Sequence, residues 1–283
     1  MKLIESKAEL LPWEPGIEGV YKAIERAGRN CYKSEDKITD SSAKGFVDRM
    51  IASKHTAMLE HGTVYLSFED AEEGDTFYYN KYGSNKYSIT NYDNLGYVYV
   101  TTNLRVLVEN DWLDDLKYLC DPTEFHEIRY AFKFTCSRAI ANELVRHRVF
   151  SFAQESQRYC NYSKNKFGNE ITFIKPSWEK GAAFDVHLHL YNSLFASQVA
   201  YFDLLDNGAT PQQARDVLPN ATKTEIVMTG FASDWKYLFD LRLFGKTGAP
   251  HPDMVDLMEK AKAEAEKNGI WDDIMSCPSK FEL

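Results

Sequence analysis

The sequence predicts an α+β fold, mostly helical, with flanking helices around a central, mostly antiparallel sheet. Three observations predict it. In several stretches apolar residues recur every three or four positions, which is helical spacing. In shorter stretches they alternate with a period of two, which is strand spacing. No repeat, low-complexity tract or linker interrupts this pattern, so residues 1–283 read as one domain, long enough to bury a sizeable core.

The elements follow in order. Residues 17–32 carry Ile17, Val20, Tyr21, Ile24 and Ala27 at helical spacing, and 41–53 form a second helix that Ser41 or Ser42 caps. "GTVYLSFE" (62–69) alternates and reads as a strand. Residues 70–103 are acidic and rich in Tyr and Asn, and read as a long excursion containing one hairpin. A helix is expected over 103–119 and a strand over 129–137, with Ser137 starting a helix that ends near His147. "ITFIKP" is a short strand stopped by Pro176. Over 184–206, Phe184, Leu188, Tyr191, Phe195, Phe202 and Leu205 make one apolar face, and Asn207-Gly208 closes the helix. Thr210-Pro211 opens another, with Gln213 completing a capping box. "TKTEIVMTGF" is a strand, and Ser233 or Asp234 caps a helix through Arg242. The last helix runs from Pro252 to Asn268-Gly269.

Composition excludes several classes. The net charge is -9, whereas a dedicated nucleic-acid binder carries a basic excess. No apolar run is long enough to cross a bilayer, and acidic residues in the first apolar stretch make a poor signal peptide. The five cysteines are scattered without CxxC spacing, so no metal site and no disulfide framework is expected, and a reducing cytoplasm is the default. His187 and His189 lie two apart on a helix and cannot face one metal; both are expected at the surface.

Against this background "ELVRHRVFSFAQESQRYCNY" (143–162) stands out. Residues 146–158 carry Arg146, Arg148 and Arg158 against Glu155, a local charge of +2. Arg146 and Arg148 would point to opposite sides of a continuing helix, about 200° apart. A helix that stops here and turns lets both converge on one pocket. Guanidinium forks, hydroxyls and backbone N–H groups suit a phosphate-bearing small molecule. On chemistry alone the alternative stays open: a solvated Arg cluster paired with nearby carboxylates.

"RHRVFSFAQESQR" matches RHRxxSxxxxSxR at Arg146, His147, Arg148, Ser151, Ser156 and Arg158. At roughly 5% per position, chance produces this about once in a few hundred thousand chains of this length. The pattern resembles the signature of the flavin-dependent thymidylate synthases. "KHTAMLEHGTVYLSF", "ATPQQARDVLP", "MTGFASDWKYLFDLR" and "GAPHPDM" are similar to further segments of that family. Much of 70–128 exceeds the family's minimal length and reads as a subgroup insertion.

The resemblance implies a flavin-dependent thymidylate synthase-like fold and a homotetramer with sites at subunit interfaces. It implies conversion of dUMP to dTMP, with FAD as cofactor, methylenetetrahydrofolate as carbon donor and NADPH as reductant. It places Arg242 and His55 as catalytic. Ala57, Arg146, His147, Arg148, Gln154, Phe231, Ser233 and Tyr237 fall at cofactor positions. Glu143, Arg146, Glu155, Ser156, Gln157, Arg158, Arg215 and Arg242 fall at positions for dUMP. Departures from the commonest pattern stand at Ala57, Phe231, Ser233 and Glu143, where the family often has a hydroxyl residue, Asn, Arg and Gln. No GxGxxG follows a strand, so a flavin here is held by another route than a Rossmann site.

Overall fold

The structure is a computed structural model that describes residues 1–69, 77–158, 160–164 and 168–278. The chain opens with two short strands, β1 (Lys2–Ile4) and β2 (Lys7–Leu10), then the helices α1 (Gly16–Tyr32) and α2 (Ser42–Ala52). A 3₁₀ turn, Thr56–His61, leads into β3 (Thr63–Glu69). Next come α3 (Phe77–Gly83), the hairpin β4 (Ile89–Tyr92) and β5 (Tyr97–Asn103), and α4 (Leu104–Glu109). β6 (Arg129–Ser137), α5 (Arg138–Leu144) and β7 (Ser151–Gln154) carry the arginine motif. β8 (Thr172–Ile174), α6 (Phe184–Asp206), α7 (Pro211–Ala214), β9 (Lys223–Phe231), α8 (Ala232–Arg242), α9 (Pro252–Lys267) and α10 (Trp271–Ser276) complete the order.

The expected antiparallel sheet has four strands in the order β2-β6-β9-β7. β9 is interior, with Phe132 of β6 and Phe152 of β7 both opposite Met228. Helices α8 and α9 cover one face. Trp235 of α8 is fully buried there, its ring 4.7 Å from those of Phe132 and Phe150, and its Nε1–H donates to the Tyr130 carbonyl at 3.1 Å. β1 and β8 form a separate parallel pair.

Residues 63–69 and 77–109 build a second core with α1 and α2. β3, β5 and β4 form a three-stranded antiparallel sheet, and Val64, Leu66, Phe68, Val98 and Val100 pack against Ile24 of α1 and Phe46 of α2. Phe68 stacks on Tyr78 of α3 at 4.0 Å. The expected hairpin is therefore present with a helix beside it, while residues 70–76 of that excursion lie outside the described residues.

Four expectations are corrected. The helix expected over 103–119 stops at Glu109, because Asp111 adopts a left-handed backbone (φ 60°) and the chain resumes as a 3₁₀ turn, Leu113–Tyr118. Neither Ser233 nor Asp234 caps α8: Phe231 holds the cap position, and the Ser233 N–H donates instead to the Glu127 carboxylate at 3.0 Å. On α6 only Leu194 and Tyr201 are buried, while Phe184, Leu188 and Phe195 stay exposed although they belong to the repeating pattern. His187 is half-buried, its ring bonded to Glu179 at 2.8 Å.

Gly230 has a packing reason. A Cβ there would lie 2.4 Å from Cδ1 of Phe150, whose ring abuts Trp235. Gly230→Ala is expected to destabilise the fold by about 1–3 kcal/mol, the range for overpacking a filled core. Urea unfolding measures this, and Gly230→Ala combined with Phe150→Leu should recover part of the loss. An unchanged midpoint for the single variant would show that the ring gives way freely.

Candidate active site

The motif turns where its charges require. α5 is capped by Ser137, whose Oγ accepts from Ile140 N, and it ends at Leu144. Backbone turns follow, His147 N to Leu144 O at 3.0 Å and Phe150 N to His147 O at 3.1 Å. β7 then pairs Ser151 with Thr229. The loop is pinned between a helix end, the buried Phe150 ring and a strand, so Arg146 and Arg148 line one cleft, as a helix that stops and turns here allows. The cleft is open, about 500 Å³, and His147, Tyr237 and Arg242 complete its polar lining.

Arg242 organises this cleft. Its Nε donates to His147 Nε2 at 3.0 Å, and its Nη1 lies 3.2 Å from Glu143 Oε2. An arginine only donates, so His147 Nε2 accepts and the ring proton sits on Nδ1. Burial, with the Arg242 charge adding to it, pushes His147 down to about 4. The ring is neutral at pH 7. Glu143 thus faces a guanidinium, which removes the penalty of placing a carboxylate beside an anionic ligand. Arg146 and Arg148 are exposed and form no ion pair among the described residues.

The second half of the motif faces elsewhere. Gln154 Nε2 donates to Thr224 Oγ1 at 3.3 Å. Glu155 is 3% exposed and lies 2.8 Å from Lys223 Nζ. Its neighbour Glu225 meets Lys33, Lys133 and Lys223. Burial acts to raise the Glu225 carboxyl, but Lys223 and Lys33 outweigh it and hold the group well below the usual carboxylate range. Glu155, Glu225, Lys33 and Lys223 border a cavity of about 650 Å³ that Tyr162 and Thr172 also line. Ser156 is fixed by its N–H to the Cys31 carbonyl at 3.0 Å, Gln157 is buried and Arg158 is exposed. Arg215 is half-buried at the start of the 3₁₀ turn after α7.

Within one chain the expected site residues therefore fall into separate places. Glu143, Arg146, His147, Arg148, Tyr237 and Arg242 come together. His55 and Ala57 sit exposed at the start of the 56–61 turn, and Phe231 and Ser233 lie at the junction of β9 and α8. The sequence reading missed Arg129, which is 7% exposed beneath Phe231 with its Cζ 5.4 Å from that ring. It also missed the Lys33–Lys133–Lys223 cluster. The signal available for Arg129 was an Arg opening a strand whose Phe132, Phe134 and Cys136 alternate, "RYAFKFTCS". His61 is buried, its Nδ1 2.8 Å from Thr229 Oγ1, and burial together with Arg129 lowers it to about 3. Among the described residues no cluster of His, Cys, Asp or Glu could hold a metal ion, and no helix is long and apolar enough to cross a membrane.

The fold is thus an α+β frame that presents the exposed guanidinium groups of Arg146 and Arg148 at an open cleft. The family model for the thymidylate synthase complementing protein matches residues 97–268, and the chain belongs to this family. A flavin-dependent thymidylate synthase from Geobacter sulfurreducens is 35% identical over 106 residues, 38% of this chain and 44% of that protein. One from Pyrococcus furiosus is 34% identical over 110 residues, 38% and 43% respectively. These two matches thus span under half of each relative's length. One from Mycobacterium avium is 26% identical over 247 residues, 82% and 71%. Among solved structures, a UMP/dUMP methylase, PolB, from Streptomyces cacaoi bound with 5-Br dUMP aligns with 98% of this chain and 97% of its own. Its identity is 17% and its TM-score 0.46.

His147 offers a direct check of the Arg242 contact. Its folded value lies below the ~6.5 of a free imidazole. Its contribution to stability is therefore complete above pH ~6.5 and is lost as pH falls through about 4. Imidazole NMR should show His147 titrating near that lower value, and Arg242→Met should move it upward. A wild-type midpoint near 6.5 would contradict the buried, neutral ring.

Proposed function

We propose that this protein is a flavin-dependent thymidylate synthase that converts dUMP to dTMP, with methylenetetrahydrofolate as carbon donor and NADPH as reductant. The observation that carries the reading is the cleft in which Arg242 joins His147 and Glu143 while Arg146 and Arg148 form no ion pair among the described residues. The donor set suits FAD: Arg146 and Arg148 offer planar forks to a pyrophosphate, and Tyr237 offers a ring on the same wall. FAD, when bound, would supply the redox chemistry between NADPH and the transferred carbon unit.

The chain's own residues then divide the work. Arg242 presents a two-pronged donor to the pyrimidine edge, its orientation set by His147 and Glu143. Glu143, neutralised by that pair, accepts from a ribose hydroxyl. Ser156, Gln157, Arg158 and Arg215 take the phosphate. Because these four lie apart from the Arg242 cleft within one chain, the reading requires a homotetramer in which neighbouring subunits complete each site. His55 and Ala57 reach the flavin in the same way. The exposed apolar residues Phe184, Leu188 and Phe195 of α6 support such an assembly, since a contiguous apolar face on a soluble chain marks an interaction surface.

The direct test is dTMP formation from dUMP by protein reconstituted with FAD, methylenetetrahydrofolate and NADPH. A yellow protein that forms dTMP is expected, whereas a colourless protein that binds RNA would replace this reading with a nucleic-acid-binding one. Arg242→Lys should keep fold and flavin but lose most dTMP formation, because an ammonium cannot copy the planar fork. Near-normal turnover of that variant at saturating dUMP would sink the catalytic assignment.

Shared sites make a further prediction. Mixing inactive His55→Ala and Arg158→Ala subunits should restore part of the activity. If mixed tetramers form and remain inactive, the sites are not shared.

A further inference from the structure

The turn that presents His55 and Ala57 is gripped from outside by a short helix some forty residues further along the chain. On its inner side the turn is seated by Leu59, which is fully buried in the second core, and by Arg129 Nη1, which donates to the Glu60 carbonyl at 3.2 Å. His55 stands at the cap position, is exposed, and makes no side-chain capping bond. The outer edge of the turn is held by α4.

Local chemistry makes α4 a firm support. Asn103 caps it, its Oδ1 accepting from Val106 N at 3.2 Å, and Leu104, Val106 and Leu107 are buried in the second core. The Leu104 N–H donates to the Gly62 carbonyl at 2.9 Å and ties the helix start to the end of the turn. With that side buried, Arg105 and Glu109 stand together on the outer side, four residues apart. Arg105 Nε donates to Glu109 Oε1 at 2.8 Å, and Arg105 Nη1 pairs with Glu60. The same Glu109 oxygen accepts from the Thr56 hydroxyl at 2.6 Å. The chain Thr56–Glu109–Arg105–Glu60 therefore bridges the two ends of the turn.

The charges show what this group is suited to do. Two carboxylates meet one guanidinium, so no spare positive charge is left to recruit an anion. The Thr56 hydroxyl first, then Arg105, outweigh burial and hold the Glu109 carboxyl below the usual carboxylate range, so it stays ionised and accepts from both. Partly exposed pairs are weak one by one, but these close on a turn whose inner side is already seated, so little chain entropy is left to lose. A planar guanidinium also fixes the angle between its two partners, which a point charge does not. We propose that Arg105 is a positioning residue: through Glu60 and Glu109 it fixes both ends of the 56–61 turn and so sets where His55 and Ala57 stand. The proposal rests on the reading above that these two residues reach the flavin.

Hydrogen exchange across residues 54–62 and fluorescence titration with FAD, both on the full chain, test it. Arg105→Met should speed exchange in the turn and raise the Kd for FAD at least about threefold, the scale of partly exposed ion pairs acting together. Exchange in β6 and β9 should stay as in the wild type, which separates a local role from a loss of global stability. Thr56→Val should act in the same direction, and the two substitutions together should cost less than their sum, because they break one chain of bonds. Arg105→Lys should recover part of the affinity. Glu60→Gln separates positioning from direct contact. Positioning weakens FAD binding in that variant, whereas an Arg105 that itself touched the flavin phosphates would bind more tightly once a competing carboxylate is gone. Lys44→Met, which breaks the exposed pair with Asp48 on α2, should change neither readout. Unchanged exchange in the turn or unchanged FAD affinity in Arg105→Met overturns the proposal. So do tighter binding in Glu60→Gln, fully additive losses, or an equal loss in Lys44→Met. If Arg105→Met does not fold, Thr56→Val, which removes no charge, carries both readouts. If the wild-type chain takes up no FAD, the flavin reading fails, and the exchange result still decides whether Arg105 holds the turn.

Discussion

Strand β9 is the member on which the site hangs. It lies between β6 and β7, so its backbone groups are hydrogen-bonded on both sides and its register is fixed twice. Thr229 illustrates the consequence. It stands opposite Ala131 on one side and Ser151 on the other, and its hydroxyl meets His61. One residue later Gly230 accepts the Phe150 ring, which anchors the loop bearing Arg146, His147 and Arg148. The same strand runs directly into α8, and three turns of that helix carry Arg242 back to His147. A slip of one residue in β9 would turn Thr229 away from His61 and put a side chain where only Gly230 fits. The loop and Arg242 would then lose their common reference.

Charge is handled in two distinct ways inside this acidic chain. Glu155, Glu225, Lys33, Lys133 and Lys223 are buried or half-buried as a network, each charge meeting at least one opposite partner. Lys236 and Lys246 share Asp240 in the same manner beneath α8. Such pairs add little net stability, because desolvation offsets most of the attraction, but removing one member leaves a costly buried charge. Arg146 and Arg148 of the first cleft, by contrast, are exposed and form no ion pair among the described residues, while Arg242 beside them is held by Glu143.

Periodicity carried much of the fold. The bounds of α6, the strands at 63–69, 129–137 and 223–231, and the Ser137 and Thr210 helix starts all follow from apolar spacing and local capping chemistry. Those signals act over a few residues, and a reader of the chain has those residues in hand. The elements that escaped are short: β1, β2, β7, α3 and α10. A strand of three or four residues has too few positions to display alternation, and partners far along the chain stabilise it. β2 depends on β6, and β7 depends on β9. The break at Asp111 escaped for a related reason, since its left-handed backbone is permitted by an Asp but not demanded by it.

The site divides along the same line. Residue types and spacing in 146–158 were enough to place the family and to require a turn between Arg146 and Arg148, because helix geometry forbids their convergence otherwise. Spacing could not show that Arg242, 95 residues further on, donates to His147, or that Glu143 pairs with it. Nor could it show that Glu155 turns away into a lysine network, or that Arg129 is buried beneath Phe231. Which side chains meet across such separations depends on sheet register and helix packing. A contact energy belongs to the assembled pair and leaves no mark on either residue alone. The sequence by itself determined the chemistry available and the local turns that present it. Only the tertiary structure decided which charges are neutralised, which are left open, and toward which cavity each one faces.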